Sequence, residues 1–277
     1  MNYAIRYKSL KLFHIAACSL IYAGFFSVTN SQWPNLILLT CCTIIGIFFV
    51  YRFNDHVDQT HDFKVNLHSF FRVKLHLLAA VIFLLIFLPL SIYSFSSFCF
   101  LVLALAGILG ILYSVKIHLP HRSFRLKHAF LFKNIAIGLA WGALVLIGAD
   151  SFDHDFARAL FYFVSVQVFI GSAIRDIPDL EKDRQDGVYS LAVVFGVNPA
   201  IFFLHLVNVA SVFTYGLVQG NMGFLFVVSI TYVWRFITLR QIFLGRSIKR
   251  WTQSYNLMTC FLIFVLVFIT YVYEHIT

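Results

Sequence analysis

The sequence predicts an all-α, polytopic membrane protein, with nine transmembrane helices in a single domain over residues 1–277. Composition is the first reason. The residues are 60% hydrophobic, 18% aromatic and 12% charged, whereas a soluble domain carries about 25% charged residues. With half that charge the chain cannot cover a water-facing surface, which excludes a water-soluble enzyme. Length agrees, because a span needs about 20 apolar residues and nine spans leave about a hundred for connections. The second reason is the distribution of basic residues, which becomes visible once the spans are drawn.

Apolar runs between polar breaks place the spans at 10–28, 34–53, 73–92, 96–115, 130–149, 156–174, 199–217, 222–243 and 254–273. The first follows Arg6, Lys8 and Lys11 as a signal peptide would. No small-x-small cleavage site comes after it and the run is long enough to cross, so it reads as a helix. The second and sixth each end in an acidic segment. Phe95-Ser96-Ser97 separates the third span from the fourth. Asn198-Pro199 opens the seventh, proline being suited to a first helical turn. Gln219-Gly220-Asn221 divides the seventh from the eighth. The five cysteines (Cys18, Cys41, Cys42, Cys99, Cys260) lie in apolar stretches without CxxC spacing, and read as small packing residues.

Basic residues then fall almost wholly on one side. The N-terminal segment holds Arg6, Lys8 and Lys11, and the second-to-third connection Arg52, Lys64, Arg72 and Lys74. The fourth-to-fifth holds Lys116, Arg122, Arg125, Lys127 and Lys133, and the sixth-to-seventh Arg175, Lys182 and Arg184. The eighth-to-ninth adds Arg235, Arg240, Arg246, Lys249 and Arg250, while the opposite connections hold only Arg158. By the positive-inside rule this pattern sets the N-terminus in the cytosol. The basic balance therefore reflects topology and anionic headgroups, not nucleic acid.

Of twelve acidic residues, eight lie in two segments, 52–62 and 175–187. Both contain D-x-x-D-x-x-x-D: Asp55, Asp58 and Asp62, then Asp176, Asp179 and Asp183. At about 100° per residue these positions fall within an arc of about 60°, so each set forms a carboxylate stripe on one helical face. Both stripes begin at the inner end of an even-numbered span. Acids at helix ends are commonly just solvated, and three acids on one stripe repel each other. The repeated spacing on one membrane side points instead to cations that neutralise them. Oxygen-only ligands suit Mg²⁺, which completes its shell with waters and substrate phosphate. Two stripes can hold two or three such ions with a diphosphate bridging them. Arg52, Lys116, Arg125, Lys127 and Arg175 are the cations placed to take the remaining phosphate oxygens. His56 and His61 stand five residues apart, a poor metal-pair spacing on a helix, and the other histidines form no constellation.

Asn54-Asp55-x-x-Asp58-x-x-x-Asp62 resembles the first aspartate-rich motif of the UbiA superfamily of intramembrane prenyltransferases. Asp176-x-x-Asp179-x-x-x-Asp183, with Gly187 and the run Ser190 to Gly196, is similar to its second motif and tail. Tyr113-Ser114 and the stretch from Lys133-Asn134 to Trp141-Gly142 resemble further family segments, so the likeness covers about residues 5 to 275. The resemblance implies a helical bundle around a central cavity capped by both motifs on the cytosolic side. It implies Mg²⁺-dependent transfer of a prenyl group from a prenyl diphosphate to a lipophilic acceptor, aromatic or a quinone precursor. It makes Asp58, Asp62, Asp179 and Asp183 the catalytic acids. Asn54, Asp55, Asp58, Asp62, Asp176, Asp179 and Asp183 become metal ligands, Asp55 and Asp176, the deepest of each stripe, being the two expected to turn towards a basic partner instead, and Asn54, Arg52, Tyr113, Lys116, Arg125, Lys127 and Arg175 bind substrate. Two departures bear on the acceptor. The family's Asn-x-Arg-Pro after the first motif is absent between Phe63 and Arg72, and Lys182 stands where glycine is common.

Aromatic richness fits an allylic cation shielded from water, since a desolvated aromatic face stabilises a cation by up to about 2 kcal/mol. Two alternatives stay open. One is a related diphosphate-ionising enzyme on the same scaffold, a terpene cyclase or a sugar-phosphate prenyltransferase. The other is an ion-coupled carrier, against which stands the placement of the acids at helix ends rather than at the membrane midplane.

Overall fold

The computed structural model describes residues 3–28, 33–60, 96–114, 116–119, 122–125, 128–217, 222–245 and 252–276. Among the described residues the regular elements are helices apart from one two-stranded hairpin. Four helical stretches are long and apolar enough to cross a membrane: Phe132–Ala149, Asp155–Gln185, Val197–Thr214 and Met222–Phe243. The predicted third span, 73–92, lies outside the described residues; the other eight predicted spans coincide with described helices. Two compact units emerge, residues 32–127 and residues 1–31 with 128–277.

In the smaller unit, helix α2 (Trp33–Thr60) opens on Pro34 in its first turn, where a missing N–H costs nothing. The hydroxyls of Thr40 and Thr43 donate to the carbonyls of Leu36 and Leu39, so neither is left unsatisfied in an apolar setting. Helix α3 (Ser97–Ser114) is capped by Ser96, whose Oγ accepts from the Cys99 N–H at 3.1 Å. Strands β1 (Lys116–Leu119) and β2 (Arg122–Arg125) follow as an antiparallel hairpin with Lys116 opposite Arg125. The all-α expectation thus acquires a small exception. The period-2 alternation Lys-Ile-His-Leu carries it, a pattern too short to stand out beside 18-residue apolar runs.

The larger unit contains α1 (Tyr3–Phe26), α4 (Phe132–Ala149), α5 (Asp155–Asp176), α6 (Leu180–Gln185), α7 (Leu191–Phe195), α8 (Val197–Ser211), α9 (Met222–Phe243) and α10 (Thr252–Ile276). Helix α4 packs against both α1 and α5. Its approach to α5 runs through two glycines one turn apart. A Cβ at Gly138 would stand 2.5 Å from the Ser165 carbonyl oxygen, and one at Gly142 would stand 2.7 Å from that of Phe161. Small residues at this spacing let backbones touch where lipid gives no hydrophobic drive for association. The core of the unit is built from Ile170, Ala173 and Ile174 of α5 with Leu191, Ile201, Leu204 and Leu239 of α7, α8 and α9.

A polar layer crosses this apolar interior. Arg235 of α9 is fully buried; its Nη2 donates to the Gln167 carbonyl at 2.8 Å and its Nε to Gln167 Oε1 at 3.3 Å. Gln167 Nε2 donates to Asn208 Oδ1 at 3.2 Å and Ser211 Oγ at 3.0 Å. Counting Arg235 among the charges of the eighth-to-ninth connection is therefore corrected: it is an internal residue. Its long side chain meets the side-chain amide and backbone carbonyl of Gln167 on α5, which supply acceptors that lipid lacks.

Candidate functional site

The second aspartate segment begins where α5 ends. A regular helix would put Asp176, Asp179 and Asp183 on one face, but the chain passes through a 3-10 turn at Ile177–Asp179 before α6 resumes the helix. Pro178 supplies the cause, having no N–H to continue the α-helical ladder. Asp176 and Asp183 both approach one cation, and Asp179 is exposed. Val188 closes the segment by donating its N–H to the Asp183 carbonyl at 2.8 Å. Gly187 makes that return with φ at 67°, a left-handed conformation that side chains disfavour.

The cation is Lys133, the second residue of α4. Its Nζ lies 2.9 Å from Asp176 Oδ1 and 3.5 Å from Asp183 Oδ2, with a side chain only 9% exposed. The neighbouring Asn134 donates from Nδ2 to Asp176 Oδ2 at 3.0 Å. Ser172, one turn before Asp176 on α5, donates to Asn134 Oδ1 at 2.7 Å and fixes which way that amide points. Both oxygens of Asp176 are engaged by the protein. Asp183 Oδ2 is buried and accepts no hydrogen bond among the described residues, its nearest cation being the more distant Lys133 contact.

Arg175 lies beside this group, half-buried, its Nε without a hydrogen-bond partner among the described residues. Asp179 is exposed on the 3-10 turn, and Glu181 is drawn off to Arg184 at 3.3 Å.

The first aspartate segment belongs to the last turns of α2. Asn54, Asp55 and Asp58 are on that helix, and Asn54 is half-buried. Asp62 and Lys127 lie outside the described residues, as do the side chains of Arg52, Asp55, Asp58, Lys116 and Arg125. Tyr113 is half-buried near the end of α3. The hairpin register sets Lys116 and Arg125, two of the expected phosphate-binding residues, at one rung of the ladder. Among the described residues no three histidine, cysteine or acidic side chains converge on a metal position.

Three members of the site carried no separate functional reading in the sequence: Lys133, Asn134 and Ser172. Lys133, one of the basic residues flanking the fourth-to-fifth connection, is buried in an ion pair at the start of α4. The available signal was a lysine followed by an uninterrupted apolar run, a charge with no loop around it.

The chain matches the UbiA prenyltransferase family over residues 72–266. Its fold is similar to that of a UbiA homologue from Aeropyrum pernix K1, with a TM-score of 0.68 and 18% identity over 93% of this chain and 98% of that one. A structure of digeranylgeranylglyceryl phosphate synthase aligns with a TM-score of 0.65 and 17% identity, covering 96% and 98% of the two chains. A UbiA homologue from Archaeoglobus fulgidus bound to GPP and Mg²⁺ gives 0.65 and 19%, covering 94% and 96%. No curated protein matches the sequence.

Proposed function

Because the chain belongs to the UbiA prenyltransferase family, we propose that it transfers a prenyl group from a prenyl diphosphate to a lipophilic acceptor within the membrane. The transfer depends on Mg²⁺, and the acceptor is an aromatic or quinone-precursor compound. The observation that carries this reading is the carboxylate group at the end of α5. Asp183 keeps a buried oxygen open to a cation and Asp179 presents a second carboxylate.

These donors fit the metal. Mg²⁺ is held by one or two carboxylates, with water and substrate phosphate completing an octahedron, so two available carboxylates suffice at this end of the site. The Archaeoglobus fulgidus homologue is seen with DMAPP and Mg²⁺ and with GPP and Mg²⁺, which supports the same pairing here. When bound, Mg²⁺ supplies Lewis-acid stabilisation of the charge gathering on the departing diphosphate. Asn54, Asp55, Asp58 and Asp62 provide the matching ligands from the first segment. Arg52, Lys116, Arg125, Lys127 and Arg175 hold phosphate oxygens, and Tyr113 contributes to the same substrate contacts.

Both compact units belong to one prenyltransferase domain in this reading, supported by a family match that runs across residues of each. The N-terminus and both aspartate segments are cytosolic. The excess of basic residues on that side persists with Lys133 and Arg235 set aside as internal. Cysteines introduced at positions 64 and 184 should therefore react with an impermeant reagent from the same face of the membrane; labelling from opposite faces rules out a shared site.

The functional test is an incubation of purified full-length protein with labelled prenyl diphosphate, Mg²⁺ and separate quinone-precursor, aromatic and glycerol-phosphate acceptors. Label appearing in an aromatic or quinone-precursor product establishes the reading. Label in the phosphorylated acceptor alone favours the second reading, which the similarity to digeranylgeranylglyceryl phosphate synthase supports. No transfer to any acceptor, with diphosphate intact, overturns both.

A further inference from the structure

We propose that Lys133 is a positioning residue, a resident cation of the second aspartate segment that withdraws Asp176 from metal ligation and leaves Asp179 and Asp183 to it. This rests on the Mg²⁺ reading above and assigns the division of labour within it.

The geometry assigns each oxygen. Lys133 Nζ takes Asp176 Oδ1 at 2.9 Å and Asn134 Nδ2 takes Oδ2 at 3.0 Å, so both faces of that carboxylate are spent on the protein. Ser172 holds Asn134 in the orientation that donates, through its 2.7 Å bond to Asn134 Oδ1. Asp183 is treated differently. Its only described cation is the same ammonium, at 3.5 Å, and its Oδ2 accepts no hydrogen bond among the described residues. A short contact to one acid and a long one to the other describes a cation seated on Asp176 and merely near Asp183.

Lys133 is also placed with care. It follows Leu131, which takes φ 61° without being glycine, a conformation that persists only where surrounding packing enforces it. The packing is present: Phe130 and Leu131 lie against the core of Ile170, Ile174 and Leu191, and the Phe130 ring meets Phe195 at 5.6 Å, edge to face. A lysine in a flexible loop would not need such a turn. Here the turn carries the ammonium into a position 7% exposed, where a cation needs a carboxylate partner and in turn fixes it.

Charge arithmetic gives the consequence. A unit positive charge beside the carboxylates opposes a divalent ion arriving there, and its removal frees Asp176 as an extra anionic ligand. Replacing Lys133 by a neutral residue should thus tighten metal binding. A lysine that only holds the fold together would do the reverse or nothing.

The test uses the full chain in detergent micelles, with Mn²⁺ titrated as the probe and free Mn²⁺ read by its electron-spin resonance. Lys133→Gln should bind Mn²⁺ at least about threefold tighter than the parent protein. The gain should vanish in Lys133→Gln/Asp176→Asn, because the freed carboxylate is what creates it. Lys133→Arg should keep parental affinity. Asp183→Asn should weaken binding at least about tenfold, the usual cost of disturbing a ligand set, and Asp176→Asn should weaken it less than that. Should Lys133→Gln not fold, the contrast between Asp176→Asn and Asp183→Asn still decides. Equal losses in those two, or unchanged or weaker binding in folded Lys133→Gln, overturn the proposal. A parent protein that binds no Mn²⁺ overturns the Mg²⁺ reading itself, and the proposal with it.

Discussion

Asp183 and Asp179 reach the proposed metal from opposite surroundings, one largely buried beside Lys133 and the other exposed on a 3-10 turn. Neither carries a fold-holding hydrogen bond from its carboxylate among the described contacts, so their replacement should cost chemistry more than structure. Asp183→Asn and Asp179→Asn should each lower turnover at saturating Mg²⁺ by at least about a hundredfold. That is the loss of about 3 kcal/mol of charge stabilisation in the transition state. The check is steady-state turnover alongside gel filtration in detergent; activity within threefold of the parent in both variants would make these acids ordinary solvated residues. The acids themselves were legible in the sequence, because D-x-x-D-x-x-x-D occurs twice in a chain with only twelve acidic residues. Lys133 was not. Its partners are 43 and 50 positions away, and a lone lysine beside an apolar run looks the same whether it ends in a loop or in an ion pair.

At the scale of elements, the α4–α5 contact determines whether Lys133 meets Asp176 at all. Gly142 sits where an added Cβ would strike the Phe161 carbonyl oxygen, so Gly142→Ala forces two helices apart. The expected cost is about 1–3 kcal/mol, as for other overpacked interiors, read as a lower thermal midpoint of the purified protein and reduced turnover. Gly107 is the internal control. It lies on α3 with no described atom within 4 Å of an added Cβ, and Gly107→Ala should be neutral or stabilising by about 0.4–1 kcal/mol. Equal midpoints for the two variants would contradict the close-packing account.

The elements show how far local pattern reaches. Helices such as Phe132–Ala149 and Met222–Phe243 coincide with predicted spans because 18 or more apolar residues admit few other structures. The hairpin 116–125 went unread, since four-residue strands between charged residues carry little periodic signal. The break at Pro178 was legible in principle, for a proline between two aspartates marks a change of helical geometry. The buried Arg235 was not, because only the fold shows that Gln167 stands opposite it.

For the whole molecule, charge balance states the central claim. The two aspartate triads, Asp55, Asp58 and Asp62 with Asp176, Asp179 and Asp183, contribute six formal negative charges and a diphosphate adds up to three more. A like-charge contact near 4 Å costs about 4 kcal/mol at an effective dielectric of 20. Lysines and arginines offset part of this, and Lys133 is already committed to Asp176. On the proposed function, binding of the substrate therefore requires divalent cations between the carboxylates and the phosphates. The most direct measurement is a binding titration of the full-length protein with a non-hydrolysable prenyl diphosphate analogue, in millimolar Mg²⁺ and in EDTA. The account predicts at least about tenfold tighter binding with Mg²⁺, or about 1.4 kcal/mol. Equal affinity in EDTA would contradict it.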